Sequence, residues 1–445
     1  MTLHSRRQFL GQAAALAATG PLAINPLRAA ALQGSDYRAL VCVFFYGGND
    51  SNNMVVPADA AGYAAYARAR GNAAAGGLSL QQSSLALLGG ANVGLHGALA
   101  PLADIWAQGH LAIQANVGPL VRPLTKAQFN AAGAQQPPNL FSHSDQQMQW
   151  QQGVSGTNAS SGWGGRVADL QASTAVPMVL SVSGNNVFMN GITTDGLAVG
   201  AGGGFAIKGF GNNPNINPLY KLYTDLLQLP VANAEQRAAA DVLQQALKAS
   251  SALNTALTSN GSTAGLFAGQ NNGLAQQLLS VAKVIEGRAG LGATRQIFFV
   301  SMGGYDTHND QLAQQANLFG QVGPALKAFY DATQQLGVSQ SVTTFTASDF
   351  ARTLQPASGG GTDHAWGSHQ LVMGGAVRSG LYGSMPSLVL GGPDDVSSEG
   401  RWLPTTSVDQ MSATLATWLG VGAGDLAAVF PHLGNFSRSN MGYFG

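Results

Sequence analysis

The feature of this sequence that most restricts its fold is an alternation of short apolar runs with longer helical patterns. The runs are rich in β-branched and aromatic residues and are bounded by Gly, Pro or Asn, which is typical of buried strands. They cover 39–46, 111–116, 177–183, 296–302, 342–347 and 387–390. Helical patterns cover 218–229, 234–257, 273–287 and 312–336, and a capping box of Ser407 and Gln410 opens a helix that ends at Leu419. Strands alternating with helices predict an α/β fold with a doubly wound, mainly parallel sheet.

A Gly- and Asn-rich stretch at 196–217, followed by helical patterns, separates two of the predicted strands. We interpret 196–288 as a helical, Gly/Asn-rich insertion that caps the sheet. The rest of 32–445 is expected to form one domain.

The N-terminal segment has the order of an export signal. Arg6 and Arg7 precede a weakly apolar, alanine-rich stretch at 11–23, and small residues at 29–31 offer a cleavage site. This order predicts a twin-arginine signal over 1–31 and a periplasmic or secreted mature chain. No later stretch is long enough for an uninterrupted bilayer-spanning helix, so we expect no integral membrane segment in the mature chain.

The composition excludes some partners and some metal ligands. Only 9% of the 445 residues are charged, with 21 Lys+Arg against 21 Asp+Glu, whereas a globular protein usually has about 25%. A basic nucleic-acid-binding protein is therefore not expected. Because Cys42 is the single cysteine, any metal ligands must be histidines and carboxylates.

Three aspartates follow predicted strands. Asp50 and Asp306 each come after an apolar strand, a Gly-Gly pair and one further residue, and Asp349 follows the run at 342–347 almost directly. In open α/β sheets, ligands bind beyond the carboxyl ends of the strands. A single aspartate there usually caps the next turn, but three together indicate a site.

Histidines lie close to these aspartates in sequence. His308 is two residues after Asp306, and the glycine-flanked segment 361–369 contains Asp363, His364 and His369. Aspartate and histidine together suit Zn²⁺, Mn²⁺ or Fe. Each histidine alone could equally be an ordinary hydrogen-bonded loop residue.

Ser142 is a candidate nucleophile at the start of a predicted helix that runs through Trp150. A hydroxyl at this position faces free backbone N–H groups, and a metal ion can lower its pKa. The alternative is that Ser142 or Ser144 only caps the helix.

Several motifs together resemble a known family. They are GGNDSNNMVVP (47–57), LFSHSDQQMQWQ (140–151), GWGGRVAD (162–169), MGGYDTHNDQ (302–311), SDFARTLQ (348–355), GTDHAWGSHQLVMGGAV (361–377) and GRWLP (400–404). This set resembles domain-of-unknown-function family 1501, a twin-arginine-exported family placed within the alkaline phosphatase and sulfatase superfamily. The resemblance implies an alkaline phosphatase-like fold with two metal ions.

The resemblance also implies roles for individual residues. Asp50 would bind one metal, Asp306 and His308 the other, and Asp349 and either His364 or His369 would complete the ligands. Ser142 would be the nucleophile, with His143 beside it. The residue after Asp349 is Phe350 rather than the histidine usual in active hydrolases, and the spacing from Asp306 to His308 is shorter than usual. One metal could therefore be missing, or Asp363, His364 and His369 could fill the gap.

The reaction implied is hydrolysis of a phosphate or sulfate ester of a small molecule or polysaccharide. One or two divalent cations, Zn, Mn or similar, would bind the ester oxygens, Ser142 would attack in line, and water would clear the intermediate. Arg166 and Arg352 would hold the anionic oxygens, or would be solvated loop arginines. The alternative function is a non-catalytic secreted binding protein with the same fold and one structural metal.

Overall fold

The computed structural model describes residues 36–153, 160–171, 176–201, 218–229 and 233–445. The predicted signal segment 1–31 lies outside the described residues. So does 202–217, which is part of the predicted insertion.

A large mixed sheet forms the centre of the molecule. Its strands lie in the order β11-β5-β10-β9-β1-β8-β6-β7, with β12 also paired to β5. Only β10 runs antiparallel to its neighbours. A second, antiparallel sheet has the order β2-β4-β3. The strands are β1 (Arg38–Phe45), β2 (Val55–Pro57), β3 (Ala86–Leu87), β4 (Val93–Leu95), β5 (Leu111–Gly118), β6 (Val179–Ser181), β7 (Leu197–Ala198), β8 (Arg295–Met302), β9 (Val342–Ser348), β10 (Ser368–Met373), β11 (Gly380–Tyr382) and β12 (Thr406–Ser407).

Helices connect these strands along the chain. They are α1 (Ser51–Met54), α2 (Ala60–Arg70), α3 (Pro101–Ala107), α4 (Lys126–Phe129), α5 (His143–Gln152), α6 (Trp163–Ala168), α7 (Pro218–Leu227), α8 (Ala234–Thr258), α9 (Gly273–Glu286), α10 (Gln311–Gln335), α11 (Val408–Leu419) and α12 (Leu426–Val429).

Both faces of the large sheet are buried under helices. Alternate residues of β1 belong to two separate hydrophobic clusters, because successive side chains of a strand point to opposite faces. Val41 and Val43 pack with apolar residues of α3, α9 and α10, and Cys42 and Phe44 pack with those of α5, α6, α11 and α12. The predicted doubly wound, mainly parallel α/β architecture is confirmed.

Most predicted elements are present, within one to three residues of the expected bounds. The capping box of Ser407 and Gln410 is confirmed at the start of α11. The strand predicted at 387–390 is wrong, since this segment has no regular structure. Its side chains do alternate, with Leu388 buried and Val389 exposed, but Leu388 has a φ of 56°, which lies outside the strand region. The glycine-flanked segment 361–369 ends inside a strand, because Ser368 and His369 begin β10.

Helices of the predicted insertion contribute to the main core. Leu253 of α8 and Leu278 of α9 lie in the same hydrophobic cluster as Val300 of the sheet. The separation of 196–288 as a cap remains a prediction.

Within the described residues, no helix combines the length and apolar character needed to cross a bilayer.

Candidate functional site

Three adjacent parallel strands bring the site together at one edge of the sheet. In β9-β1-β8, Phe45 is in register with Ser348 on one side and with Met302 on the other. The loops that follow are joined by hydrogen bonds from Tyr305 N to Tyr46 O, 3.2 Å, and from Gly47 N to Asp349 Oδ2, 3.1 Å. Sequence reasoning placed strand-end aspartates at this edge, and the strand order explains why they meet.

The glycine pair after β1 is required by close packing. Gly47 and Gly48 have φ values of 112° and 78°, which side chains disfavour. A Cβ on Gly47 would lie 2.5 Å from Asp306 N, and one on Gly48 would collide with the Phe350 ring. The pair therefore lets three segments of the site approach each other.

Three imidazoles converge on the Asp306 carboxylate. From Asp306 Oδ1, His308 Nε2 lies at 2.9 Å and His143 Nε2 and His364 Nε2 both lie at 3.4 Å. His364 Nε2 is also 3.1 Å from His143 Nε2 and 3.2 Å from His308 Nε2. These four side chains are called the His₃Asp cluster below. His143 begins α5, Asp306 and His308 lie in the loop after β8, and His364 lies in the loop after β9.

The hydrogen atoms on the rings can be assigned from their partners. His364 Nδ1 lies 2.8 Å from the Phe141 carbonyl oxygen, which only accepts, so Nδ1 carries the hydrogen. Burial lowers the pKa of His364, so Nε2 of the neutral ring presents a lone pair. His143 Nε2 and His308 Nε2 both face that lone pair, and a single proton can lie in only one of these two N···N contacts. A cation would bind the His143 and His364 nitrogens and the Asp306 carboxylate at once.

The spacing of three ligand atoms fits one face of a tetrahedral metal site. A tetrahedron with metal–nitrogen bonds of about 2.0–2.1 Å has edges of about 3.3–3.4 Å. The three distances among His143 Nε2, His364 Nε2 and Asp306 Oδ1 are 3.1, 3.4 and 3.4 Å, so these atoms form one face of such a tetrahedron. His308 Nε2 lies beside this face, 2.9 Å from Asp306 Oδ1 and 3.2 Å from His364 Nε2, and is the candidate for the fourth ligand. Three nitrogens and one oxygen suit Zn²⁺ well.

Each histidine of the cluster is oriented by a second group. His143 Nδ1 is 2.7 Å from Asp349 Oδ2, and His308 Nδ1 is 3.4 Å from Asp363 Oδ1. The hydrogen bond to Asp349 is the main cause that raises the pKa of His143. Carboxylates and carbonyls in this position fix the tautomer and orientation of a metal-binding histidine.

The Phe350 ring forms the apolar wall of the cluster. Its centroid is 4.7 Å from those of both His143 and His364, and the side chain is fully buried. One imidazole beside the Phe350 ring comes from His143, at the start of α5.

Asp349 contacts His143 through Oδ2, and its buried Oδ1 has no hydrogen-bond partner among the described residues. Its Oδ2 also accepts hydrogen bonds from Gln147 Nε2 at 2.8 Å and from Gly47 N. Asp349→Asn keeps the volume but weakens the acceptor for His143 Nδ1, and we expect a roughly 10- to 100-fold loss of Zn²⁺ affinity. Titration of the full chain against a competing chelator measures it. Unchanged affinity would show that His143 does not depend on Asp349.

Arg352 holds Asp306 and the loops around it. Its guanidinium pairs with Asp306 Oδ1 and donates to the carbonyls of Gly47, Gly48 and Thr362. Partial burial of Asp306 raises its pKa, but the charge and hydrogen bond of Arg352 outweigh this and lower it. Arg352 is completely buried, so the structure assigns it a positioning role rather than the predicted contact with substrate.

Asp50 has a cationic partner already. Arg70 Nη2 lies 2.5 Å from both carboxylate oxygens, Gln311 donates a further hydrogen bond, and both Asp50 and Arg70 are buried. The structure therefore places an arginine, not a metal ligand set, around the residue predicted as the first-strand ligand.

Two other predicted residues lie outside the cluster. His369 is buried in β10, where its Nδ1 accepts from Asn116 N, and burial lowers its pKa to about 4. Arg166 is buried and donates to the carbonyls of Gln152, Ser161 and Val429. Those bonds use its guanidinium internally, so the structure does not support its predicted grip on anionic oxygens.

Ser142 immediately precedes a cluster residue. Its Oγ donates to Asp145 Oδ2 at 2.6 Å and makes no capping hydrogen bond to the helix backbone. The preceding Phe141 has a φ of 71° and is held by hydrogen bonds to Gln146 and His364. A strained residue held in this way is typical of functional sites.

The structure brings together Asp306, His308 and His364, which the sequence predicted as metal ligands, and adds His143, which the sequence placed beside the nucleophile and not among the ligands. The sequence feature that could have indicated His143 is its position in the first turn of a helix, directly after Ser142. Its contact with Asp349 joins residues 206 positions apart, which local spacing does not reveal.

Comparison with known proteins gives a family but no activity. A family model described as "Protein of unknown function (DUF1501)" matches residues 37–434. No curated protein matches the chain. A solved structure of a protein in the alkaline phosphatase superfamily from Vibrio parahaemolyticus is similar, with a TM-score of 0.32 and 9% identity, covering 94% of this chain and 76% of that chain. Values this low transfer no function.

Proposed function

The chain belongs to the family of proteins of unknown function DUF1501, and we propose that it is a metal-dependent hydrolase of phosphate or sulfate esters. The observation that carries this proposal is the convergence of three imidazole Nε2 atoms and one carboxylate oxygen in the His₃Asp cluster. The geometry supports one cation at this position.

The cluster residues would hold Zn²⁺ or a similar ion, which supplies a Lewis acid for an ester oxygen. Asp306 has a side chain 48% exposed and His308 one 45% exposed, so a substrate can reach the cluster from solvent. The fully buried Arg352 and Asp349 contact two of these residues, Asp306 and His143 respectively.

Ser142 is the proposed nucleophile. Its Oγ attacks phosphorus or sulfur while Asp145 accepts the serine proton, the bond to the alcohol oxygen breaks, and the leaving oxygen takes that proton from Asp145. Water then attacks the covalent intermediate, which releases the inorganic anion and regenerates the serine. The hydrogen bonds from Ser142 and Asn139 lower the pKa of Asp145, so this carboxylate is ionised at neutral pH.

We expect Ser142→Ala to lower turnover of an aryl phosphate or aryl sulfate by at least about 1,000-fold, because it removes the attacking oxygen. Steady-state assays of the Zn²⁺-loaded chain measure this loss. Ser144→Ala is the matched control, since the exposed Ser144 also contacts Asp145. Equal turnover in Ser142→Ala and the unsubstituted chain would remove Ser142 from the mechanism.

A second candidate function is a binding protein with one structural metal. It is favoured by the internal hydrogen bonds of Arg166 and Arg352, the two arginines expected to contact the ester. Ligand binding that persists in Ser142→Ala, with no hydrolysis by the unsubstituted chain, would support it.

Export through the twin-arginine pathway is part of the proposal and rests on the sequence of 1–31 alone. The substrate proposed is an ester of a small molecule or polysaccharide outside the cytoplasm.

A further inference from the structure

A buried aspartate organises the segment 391–401 beside the cluster. Asp395 is completely buried, and its two oxygens accept backbone N–H groups at 2.9–3.0 Å. The donors are Gly391, Ser397, Ser398, Gly400 and Arg401. Five bonds to one carboxylate fix the course of the chain, and therefore the point from which the Arg401 side chain leaves it.

The Arg401 side chain lies against two parts of the site. Its Nε donates to the backbone oxygen of His364 at 2.7 Å, and its guanidinium carbon lies 5.3 Å from the centroid of the Phe141 ring. The carbonyl of Phe141 is itself bonded to His364 Nδ1. Arg401 is thus placed beside a cluster histidine and beside the residue that precedes Ser142.

Arg401 differs from the other arginines near the site in being accessible. The side chains of Arg70 and Arg352 are 0% exposed and committed to Asp50 and Asp306, whereas that of Arg401 is 24% exposed. Its Nη1 pairs with Glu399 at 2.5 Å, and Glu399 is itself about half exposed. Nη2 forms no hydrogen bond with any residue in the described part of the chain, which leaves a donor for a ligand.

We propose that Arg401 binds the tetrahedral oxyanion of the substrate, a phosphate or a sulfate group. This inference rests on the proposed function, because it supplies the cation that the buried Arg166 and Arg352 do not offer. Nη2 would donate to one oxygen of such a group, and Nη1 could donate to a second oxygen if the anion displaces Glu399 from it. The Phe141 ring supports the guanidinium plane from one side, and Asp395 fixes its backbone.

The test is calorimetric titration of the full chain with inorganic phosphate and, separately, with inorganic sulfate, with and without bound Zn²⁺. Arg401→Gln removes the charge and is expected to weaken anion binding roughly 10- to 100-fold while Zn²⁺ content stays unchanged. Arg401→Lys keeps the charge but loses the planar guanidinium. Its anion affinity should lie between that of Arg401→Gln and that of the unsubstituted chain. Glu399→Gln frees the guanidinium and should bind the anion at least as tightly as the unsubstituted chain.

Arg378→Gln is the matched control. Arg378 is exposed and follows the end of the antiparallel strand β10, so it lies at the opposite edge of the sheet from the cluster. Its substitution should leave anion affinity unchanged. If Arg401→Gln weakens phosphate binding more than sulfate binding, the group that Arg401 binds is phosphate. The reverse order would identify sulfate.

Three results would overturn the inference: no anion binding by the unsubstituted chain, equal binding by Arg401→Gln, or a loss of Zn²⁺ in Arg401→Gln that accounts for the weaker binding. Failure of the proposed function looks different. A chain that takes up no Zn²⁺ but binds phosphate through Arg401 would contradict the metal site and keep the anion site.

Discussion

Arg70→Met is expected to lower the free energy of unfolding by about 3–5 kcal/mol. The substitution leaves the Asp50 carboxylate buried with hydrogen bonds from Gln311 and Asn52 but without a counter-charge. Removing one partner of a buried ion pair destabilises a protein far more than replacing both partners with uncharged residues. Urea denaturation followed by circular dichroism gives the change, provided that the slope with denaturant is the same in both proteins.

The double variant Asp50→Asn/Arg70→Met separates this effect from lost packing. It has no unpaired charge and should recover at least about 1 kcal/mol relative to Arg70→Met. Arg68→Met, on the exposed face of the same helix, should change stability by no more than about 0.5 kcal/mol. A loss below about 1 kcal/mol in Arg70→Met would mean that Asp50 does not need Arg70 and is available to another cation.

His308→Ala is expected to lower Zn²⁺ affinity by at least about 100-fold, more than loss of a supporting group, because it removes a ligand. Its side chain is 45% exposed and its partners are Asp306, Asp363 and His364. The fold should therefore persist, and the thermal midpoint without metal should be close to that of the unsubstituted chain.

Competition with a chromogenic chelator measures the affinity of His308→Ala. His432→Ala controls for the loss of a histidine, since His432 lies outside the cluster and its side chain makes no capping hydrogen bond to the short helical turn that follows it. Metal affinity equal to that of the unsubstituted chain would exclude His308 as a ligand.

The sequence was sufficient to predict the fold because the strands are strongly apolar and the helices between them are well patterned. Adjacent parallel strands then account for the meeting of Asp306, Asp349 and the Gly47-Gly48 pair without knowledge of their contacts. The short strands β7, β11 and β12 have two or three residues each and are determined by their neighbours, so local patterns do not reveal them.

Roles within the site were harder to predict than positions. Asp50 and Asp349 both sit at strand ends like Asp306, yet one is paired with Arg70 from a helix 20 residues away and the other supports His143. The sequence predicts that Arg166 and Arg352 bind substrate, whereas in the structure both donate hydrogen bonds to backbone carbonyls. These assignments depend on tertiary contacts, which residue type and spacing do not contain.

The most direct test of the His₃Asp cluster is the metal content of the chain after purification without chelators or added ions, measured by elemental mass spectrometry. We predict about one equivalent of Zn or a similar divalent metal per chain, lost when His143, His308 and His364 are all replaced by alanine. A metal-free chain that also fails to take up Zn²⁺, or a triple variant that retains its metal, would contradict the assignment.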